Sequence, residues 1–162
     1  MLSVVIPIHN EEPSVLALYD RLTSVLESLA QPYEIIFVDD ASTNRGFTLL
    51  ANLLETDSRL KVVRLRRNFG QTAALSAGFH EAQGDVVVSL DGDLQHDPFD
   101  IPALLAKSTR GTISPAVGRG IAWIILSREN FHHVLPMGSW PKLPAWSFTI
   151  SALHSRHIGR RS

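Results

Sequence analysis

Up to about Lys107, short apolar runs rich in β-branched residues give way, four times over, to longer segments with apolar residues at helical spacing. "LSVVIPI" is followed by Val15, Leu18, Tyr19, Leu22, Val25, Leu26 and Leu29, which recur three and four apart. "YEIIFVDD" leads to "RGFTLLANLLETD", "LKVVRLRR" to "QTAALSAGFHEAQG", and "DVVVSLDGD" to "DPFDIPALLAK". Gly84 stands where it would cap the third helix, and Asp97 and Pro98 where a fourth would start. Strands alternating with helices imply right-handed crossovers and an α/β fold: a largely parallel sheet with helices on both faces. The near-continuous apolar strands agree, because such sheets are buried on both sides.

That topology sends the polar residues to one place. His9, Asn10 and Glu11 follow the first strand, and Asp39 and Asp40 end the second. Asn68 and Gly70 follow the third, and Asp91 and Asp93 end the fourth. All fall at carboxyl ends of parallel strands, the edge where open α/β sheets bind ligands.

The bulk numbers narrow the classes of function. A chain of 162 residues suffices for one domain with a core. A net charge of -1 gives no basic field and no reason to expect nucleic acid. The chain has no cysteine, which excludes disulfides and thiolate metal sites. "MLSVVIPIHNEE" lacks a basic start and turns acidic quickly, unlike a signal peptide. No apolar run approaches the roughly 18 residues of a membrane span. A cytoplasmic location, or the cytoplasmic face of a membrane, is expected.

Asp91 and Asp93 carry the sharpest chemistry. Either they form a solvated turn, or the two crowded carboxylates share a cation. Hard oxygen ligands at this spacing suit Mg2+ or Mn2+, with a nucleotide diphosphate completing the shell. A calcium-binding EF-hand is excluded, since His96 stands where glycine is needed and Pro102 where the bidentate glutamate belongs. Asp39 and Asp40 either cap a turn with Ser42 and Thr43 or meet a ribose or base. Glu11 and Glu12 suit a first helical turn on dipole grounds alone. Arg64, Arg66 and Arg67 alternate around a strand end, from which one arginine can reach a phosphate. No glycine-rich phosphate loop or dinucleotide fingerprint is present. His132, His133, His154 and His157 match no standard zinc spacing.

"SVVIPIHNEE", "IIFVDDAST", "RRNFGQTAALSAGF" and "SLDGDLQHDPFDIPALL", in this order, resemble the family 2 glycosyltransferases of GT-A fold. The resemblance is strongest to the dolichol-phosphate mannose synthase-like and bacterial polyprenyl-phosphate enzymes, and runs from about Leu2 to Lys107. It implies that Pro7, Asn10 and Glu11 line a nucleotide-sugar pocket, although the family usually has tyrosine at His9. It implies that Asp39 and Asp40 hold base and ribose, with Arg66, Asn68 and Gly70 joining the same site. Asp91 and Asp93 become the catalytic Asp-x-Asp pair, with Gln95 as a third metal ligand. The reaction implied is metal-dependent, inverting transfer of a sugar from a nucleotide-diphospho-sugar to a lipid phosphate, at a membrane surface in the full-length parent. A saccharide or soluble acceptor, or a non-catalytic nucleotide-binding fragment, are the other readings.

From Ser108 onward the pattern fails, and residues 108–162 form an atypical tail after a half-domain of residues 1–107. The family motifs expected there are missing, so the GT-A domain is incomplete at its C-terminus. They return when each codon is built from the last base of one codon and the first two of the next. Arg110 to Gly120 then permits Gly-Tyr-Asp-Ile-Ala-Ser-Gly-Trp-Lys-Arg. Phe148 to Ala152 and Ser155 to Gly159, each taken with the last base of the codon before, permit Leu-His-Asp-Phe-Gly and Leu-Lys-Ala-Tyr-Arg. A single frameshift near Ser108 would account for this; a divergent native C-terminus is the alternative. Such a tail is expected to be poorly ordered, since its apolar pattern was never selected to pack.

Overall fold

The computed structural model describes residues 1–108, 115–118 and 121–127, with side chains through residue 106. The sheet is built from β1 (Leu2–Ile8), β2 (Tyr33–Asp39), β3 (Leu60–Arg64), β4 (Val86–Ser89), β5 (Pro115–Gly118) and β6 (Ile121–Ser127). The order is β3-β2-β1-β4-β6-β5. The first four strands pair in parallel, as the alternation requires, while β6 runs antiparallel to β4 and β5 antiparallel to β6. The expected α/β class is therefore present. Beyond it, an apolar, β-branched segment, "IAWIILS", lies along the edge of β4. Apart from Ser108, β5 and β6, the residues of the atypical tail lie outside the described ones.

Four helices cover the sheet: α1 (Glu12–Ser28), α2 (Gly46–Leu53), α3 (Gln71–Glu81) and α4 (Ile101–Ser108), the last entered through a short 3-10 turn at Pro98–Asp100. Strand alternation sorts the core into two layers. Leu2, Val4, Ile6, Ile8, Ile35 and Phe37 pack with Val15, Leu18, Leu22, Leu50 and Ile101 of α1, α2 and α4. Val5, Ile36, Val38 and Val63 face the other way, onto Ala74, Ala77 and Phe79 of α3. The approach of α3 needs Gly78, where a Cβ would lie 2.3 Å from Val5 Cγ1 and 2.9 Å from Val38 Cγ2.

Two caps separate sequence expectation from structure. Asp97 caps as expected, its Oδ1 accepting from Phe99 N–H at 3.1 Å, but it opens the 3-10 turn rather than α4 itself. Gly84 is not a C-cap. α3 ends at Glu81, with Ala82 already extended. Gly84 is required instead by crowding, since a Cβ there would lie 2.7 Å from Met1 O and 2.7 Å from Ser3 Oγ.

Candidate functional site

A cavity of about 350 Å3 opens at the carboxyl edge of the parallel strands. The end of β1 and the turn after it supply Pro7, Ile8, His9 and Glu11 to its wall, and the residue after β2, Asp40, joins them. Asn68, Gly70, Gln71 and Ala74 come from the loop after β3 and the start of α3. Asp91, Gly92 and Asp93 come from the loop after β4. Of the candidates, Pro7, Glu11, Asp40, Asn68, Gly70, Asp91 and Asp93 therefore meet in one wall. Asn10, Asp39, Arg66 and Gln95 are not part of it.

The two acids after β2 have different duties. Asp39 is fully buried, its Oδ1 accepting from Ser42 N–H at 2.9 Å, which is the turn-capping reading. Its Oδ2 lies 3.2 Å from Arg64 Nε yet makes no hydrogen bond. The contact is thus an ion pair without donor alignment. Asp40 reaches across to the next loop, and its two oxygens accept from Phe69 N–H and Gly70 N–H at 2.8 Å each. These donors belong to the entry of α3, so the carboxylate also sits at the positive end of a helix.

Asn10 turns away from the cavity, its Oδ1 accepting from Thr43 N–H at 2.9 Å. Glu12 accepts from Arg45 N–H at 2.8 Å and so caps α2 from the first turn of α1. Ser14, buried in the first turn of α1, donates to Gly92 O at 2.8 Å and fastens the residue between the two acids. Asn10, Ala41 and Leu94 carry positive φ, at 62°, 55° and 64°, and all three adjoin the cavity loops. For alanine and leucine this left-handed backbone costs about 1 kcal/mol each.

Asp91 Oδ1 accepts from Gln71 Nε2 at 2.6 Å. The backbone N–H of Asp91 donates to His96 Nδ1 at 3.1 Å. An N–H can donate only to a bare ring nitrogen, so His96 Nδ1 carries no proton. The 3.9 Å separation from Asp91 Oδ2 is thus a close approach and not a salt bridge. Asp93 is exposed, with Oδ1 accepting from Gln95 N–H at 3.0 Å. Among the described residues no group of three histidine, cysteine or acidic side chains forms a metal cage. Two hard carboxylates in an open wall fit a Mg2+ or Mn2+ whose shell is completed by a ligand's oxygens and water. Gln95 touches the loop through its backbone, and its side chain is outside the cavity wall.

Gln71 is the polar wall residue that pattern reading passed over, while His9 was placed on the ligand edge but given no role in it. Gln71 opens α3 directly after Gly70, on the carboxyl end that had already been singled out. No helix among the described residues is long and apolar enough to cross a membrane.

Known proteins with this arrangement are glycosyltransferases. The chain is 44% identical over 112 residues to an undecaprenyl-phosphate 4-deoxy-4-formamido-L-arabinose transferase of Aeromonas hydrophila, covering 68% of this chain and 34% of the relative. The corresponding transferase of Yersinia pestis is 44% identical over 110 residues, with 67% and 34% covered. The chain thus spans about a third of the length of the curated relatives it matches. Among solved structures, it is similar to the mannosyltransferase PcManGT of Pyrobaculum calidifontis, in complex with GDP-Man and Mn2+, at TM-score 0.56 and 26% identity over 65% of this chain and 31% of that one. It is also similar to glucosyl-3-phosphoglycerate synthase of Mycobacterium tuberculosis, at TM-score 0.54 and 25% identity over 68% and 41%. The sequence model of glycosyl transferase family 2 matches residues 3–150, and with four parallel strands carrying the family's motifs to one ligand edge, the chain belongs to that family.

Proposed function

We propose that this chain is the nucleotide-sugar-binding part of a glycosyltransferase whose full-length parent moves a sugar from a nucleotide-diphospho-sugar to a polyprenyl phosphate, at a membrane surface and with inversion. The observation that carries this reading is the cavity that joins Asp40, Asn68 and Gly70 to Asp91 and Asp93 on one edge. Relatives named for undecaprenyl phosphate support the choice of acceptor over a saccharide or soluble molecule. A structural neighbour holding GDP-Man and Mn2+ supports the donor class and the metal.

In this reading Asp91 and Asp93 would hold Mg2+ or Mn2+, with Gln95 as a third ligand. The bound ion supplies Lewis-acid stabilisation of the leaving diphosphate. Pro7, Glu11, Asp40, Asn68 and Gly70 form the nucleotide wall, with Asn10, Asp39 and Arg66 supporting it from behind or from the rim. An acceptor phosphate oxygen forms the new bond to the anomeric carbon while the bond to the nucleoside diphosphate breaks. That oxygen is already anionic, so no base has to remove a proton. Positioning and charge stabilisation then supply the rate.

We further propose that residues 108–162 are read out of the family's frame. The curated relatives align over 110 to 112 residues, which supports a boundary near residue 108. The family model's match as far as residue 150 weighs against it. Sequencing the gene past codon 107 decides the matter: early stops or no family motifs in the shifted frame would end the idea. Under this proposal the chain binds nucleotide but transfers little or no sugar.

Titration with UDP and GDP, with and without Mn2+, is the first test, and metal-dependent binding of one of them is expected. A radiolabelled transfer assay onto polyprenyl phosphate then separates enzyme from binder. Binding of neither nucleotide would overturn the reading.

A further inference from the structure

The hydrogen positions around His9 follow from the backbone. Asn10 Oδ1 accepts from Thr43 N–H at 2.9 Å and from the Thr43 hydroxyl at 3.2 Å. Asn68 Oδ1 accepts from Gly70 N–H at 3.1 Å. A backbone N–H can only donate, so both amide oxygens are fixed and both NH2 groups must point the other way. The two NH2 groups converge on His9 Nε2, at 3.1 and 3.2 Å. Nε2 is therefore the bare nitrogen that accepts. On the far side of the ring, Nδ1 lies 2.8 Å from the carbonyl oxygen of Asp40. A carbonyl can only accept, so Nδ1 carries the hydrogen. Four groups agree on one neutral tautomer.

The contacts also tie three loops together. His9 and Asn10 leave β1, Asp40 leaves β2, and Asn68 leaves β3. The Asp40 carboxylate closes the circuit by holding Phe69 N–H and Gly70 N–H. His9, Asp40, Asn68 and Gly70 all line the cavity, so the same ring of bonds fixes the spacing of its wall.

We propose that His9 is a positioning residue of this pocket: held as the neutral, Nδ1-protonated tautomer, it pins the three loops and so sets the affinity for a nucleoside diphosphate. Tyrosine donates and accepts through one hydroxyl at the end of its ring and phenylalanine has no polar group, so neither reproduces a donor on one side of a ring and an acceptor on the other. The claim on affinity rests on the nucleotide-binding reading above, while the tautomer does not.

The test uses the 15N-labelled full chain and a long-range proton–nitrogen correlation spectrum, with His9 assigned by its loss in His9→Phe. A protonated Nδ1 and a bare Nε2 are expected in the ligand-free protein, and a protonated Nε2 would overturn the pin. Nucleoside diphosphate titrations with Mn2+ then compare variants. His9→Phe should bind about tenfold more weakly, as expected for losing hydrogen bonds that hold a wall in place. His9→Gln restores an acceptor for both amides and should recover to within about threefold. Asn68→Ala should also weaken binding about threefold, shift the His9 Nε2 resonance and leave the thermal midpoint unchanged. Wild-type affinity in both His9→Phe and Asn68→Ala would overturn the positioning role. If His9→Phe does not fold, His9→Gln supplies the assignment by the same loss, and Asn68→Ala and the wild-type spectrum still decide. If the wild-type chain binds no nucleotide, the functional reading fails and the affinity claim with it, while the spectrum still rules on the tautomer.

Discussion

The two edges of the sheet use the same chemistry to opposite ends. At the amino edge, charges are closed on one another. Lys61 Nζ lies 2.6 Å from Glu34 Oε2, and Glu34 Oε1 accepts from Gln83 N–H at 2.6 Å and from the Ser3 hydroxyl. Nearby, Asp57 accepts from the Tyr19 hydroxyl at 2.8 Å and from Arg59 Nε at 2.9 Å, and the Arg59 guanidinium lies 4.7 Å from the Tyr33 ring centre. At the carboxyl edge Asp39 keeps a cation, Arg64, but Asp40 holds a loop through backbone N–H groups, and Asp91 and Asp93 face an open cavity. Cations closed onto buried carboxylates stabilise a fold, whereas carboxylates left beside a cavity suit a ligand that brings its own cation. Left-handed backbone occurs at both edges, at Ala30 on the way into β2 and at Asn10, Ala41 and Leu94 beside the cavity.

The largest effect on stability should come from Lys61→Met. It leaves the buried Glu34 carboxylate without its cation, a loss of about 3 kcal/mol at neutral pH. Urea unfolding measures it, and nucleotide affinity should stay within about twofold. A variant that kept its stability but lost nucleotide binding would erase the contrast between the edges. The penalty depends on pH. Burial pushes the Glu34 carboxyl up, but its bonds from Lys61, Ser3 and Gln83 outweigh that and hold it below the usual carboxylate range. Burial likewise raises Asp57, and bonds from Arg59 and Tyr19 bring it down overall. Both groups contribute stability that is present above the ordinary carboxylate range. That stability is lost as pH falls through their lowered folded values. Wild-type protein should therefore weaken on acidification, and Lys61→Met should weaken less steeply.

Gly78→Ala comes next. The new methyl collides with Val5 and Val38, neither of which is the free end of a long chain, and should cost about 2 kcal/mol in the same assay. Its effect on the site should follow stability alone, because Gly78 lies seven residues along α3 from Gln71. The smallest change is Gln71→Ala at the carboxyl edge. Stability should move by no more than about 0.5 kcal/mol. Mn2+ affinity in the presence of nucleotide should change by about tenfold, because Asp91 loses the partner that orients it. Unchanged Mn2+ affinity would remove Gln71 from the site.

Much of this was legible in the sequence because periodicity and topology are local to each element. Four alternations placed His9, Glu11, Asp40, Asn68, Gly70, Asp91 and Asp93 on one edge, and the structure gathers those seven into one wall. Asp97 was legible as a cap because its partner lies two residues away. Long-range pairings were not. Asp40 serves a loop 29 and 30 residues further on, and Glu34 meets Lys61 across two strands. Gly84 looked like a helix cap, but what demands a glycine is Met1 and Ser3, at the far end of the sequence. His96 registered only as a residue that breaks a calcium loop, while its ring is the acceptor for Asp91 N–H. The antiparallel β6 had no signal, because an apolar strand does not state its direction.

The central claim is that the acids after β4 bind a divalent cation together with a nucleoside diphosphate. Free Mn2+ has a sharp paramagnetic resonance signal that is lost on binding, so the chain can be titrated directly. The wild-type chain should deplete the signal more strongly when UDP or GDP is present than either nucleotide does alone. Asp93→Asn, at an exposed position, should keep the fold and lose that depletion. Equal depletion by wild type and Asp93→Asn, or none by wild type with either nucleotide, would contradict the account.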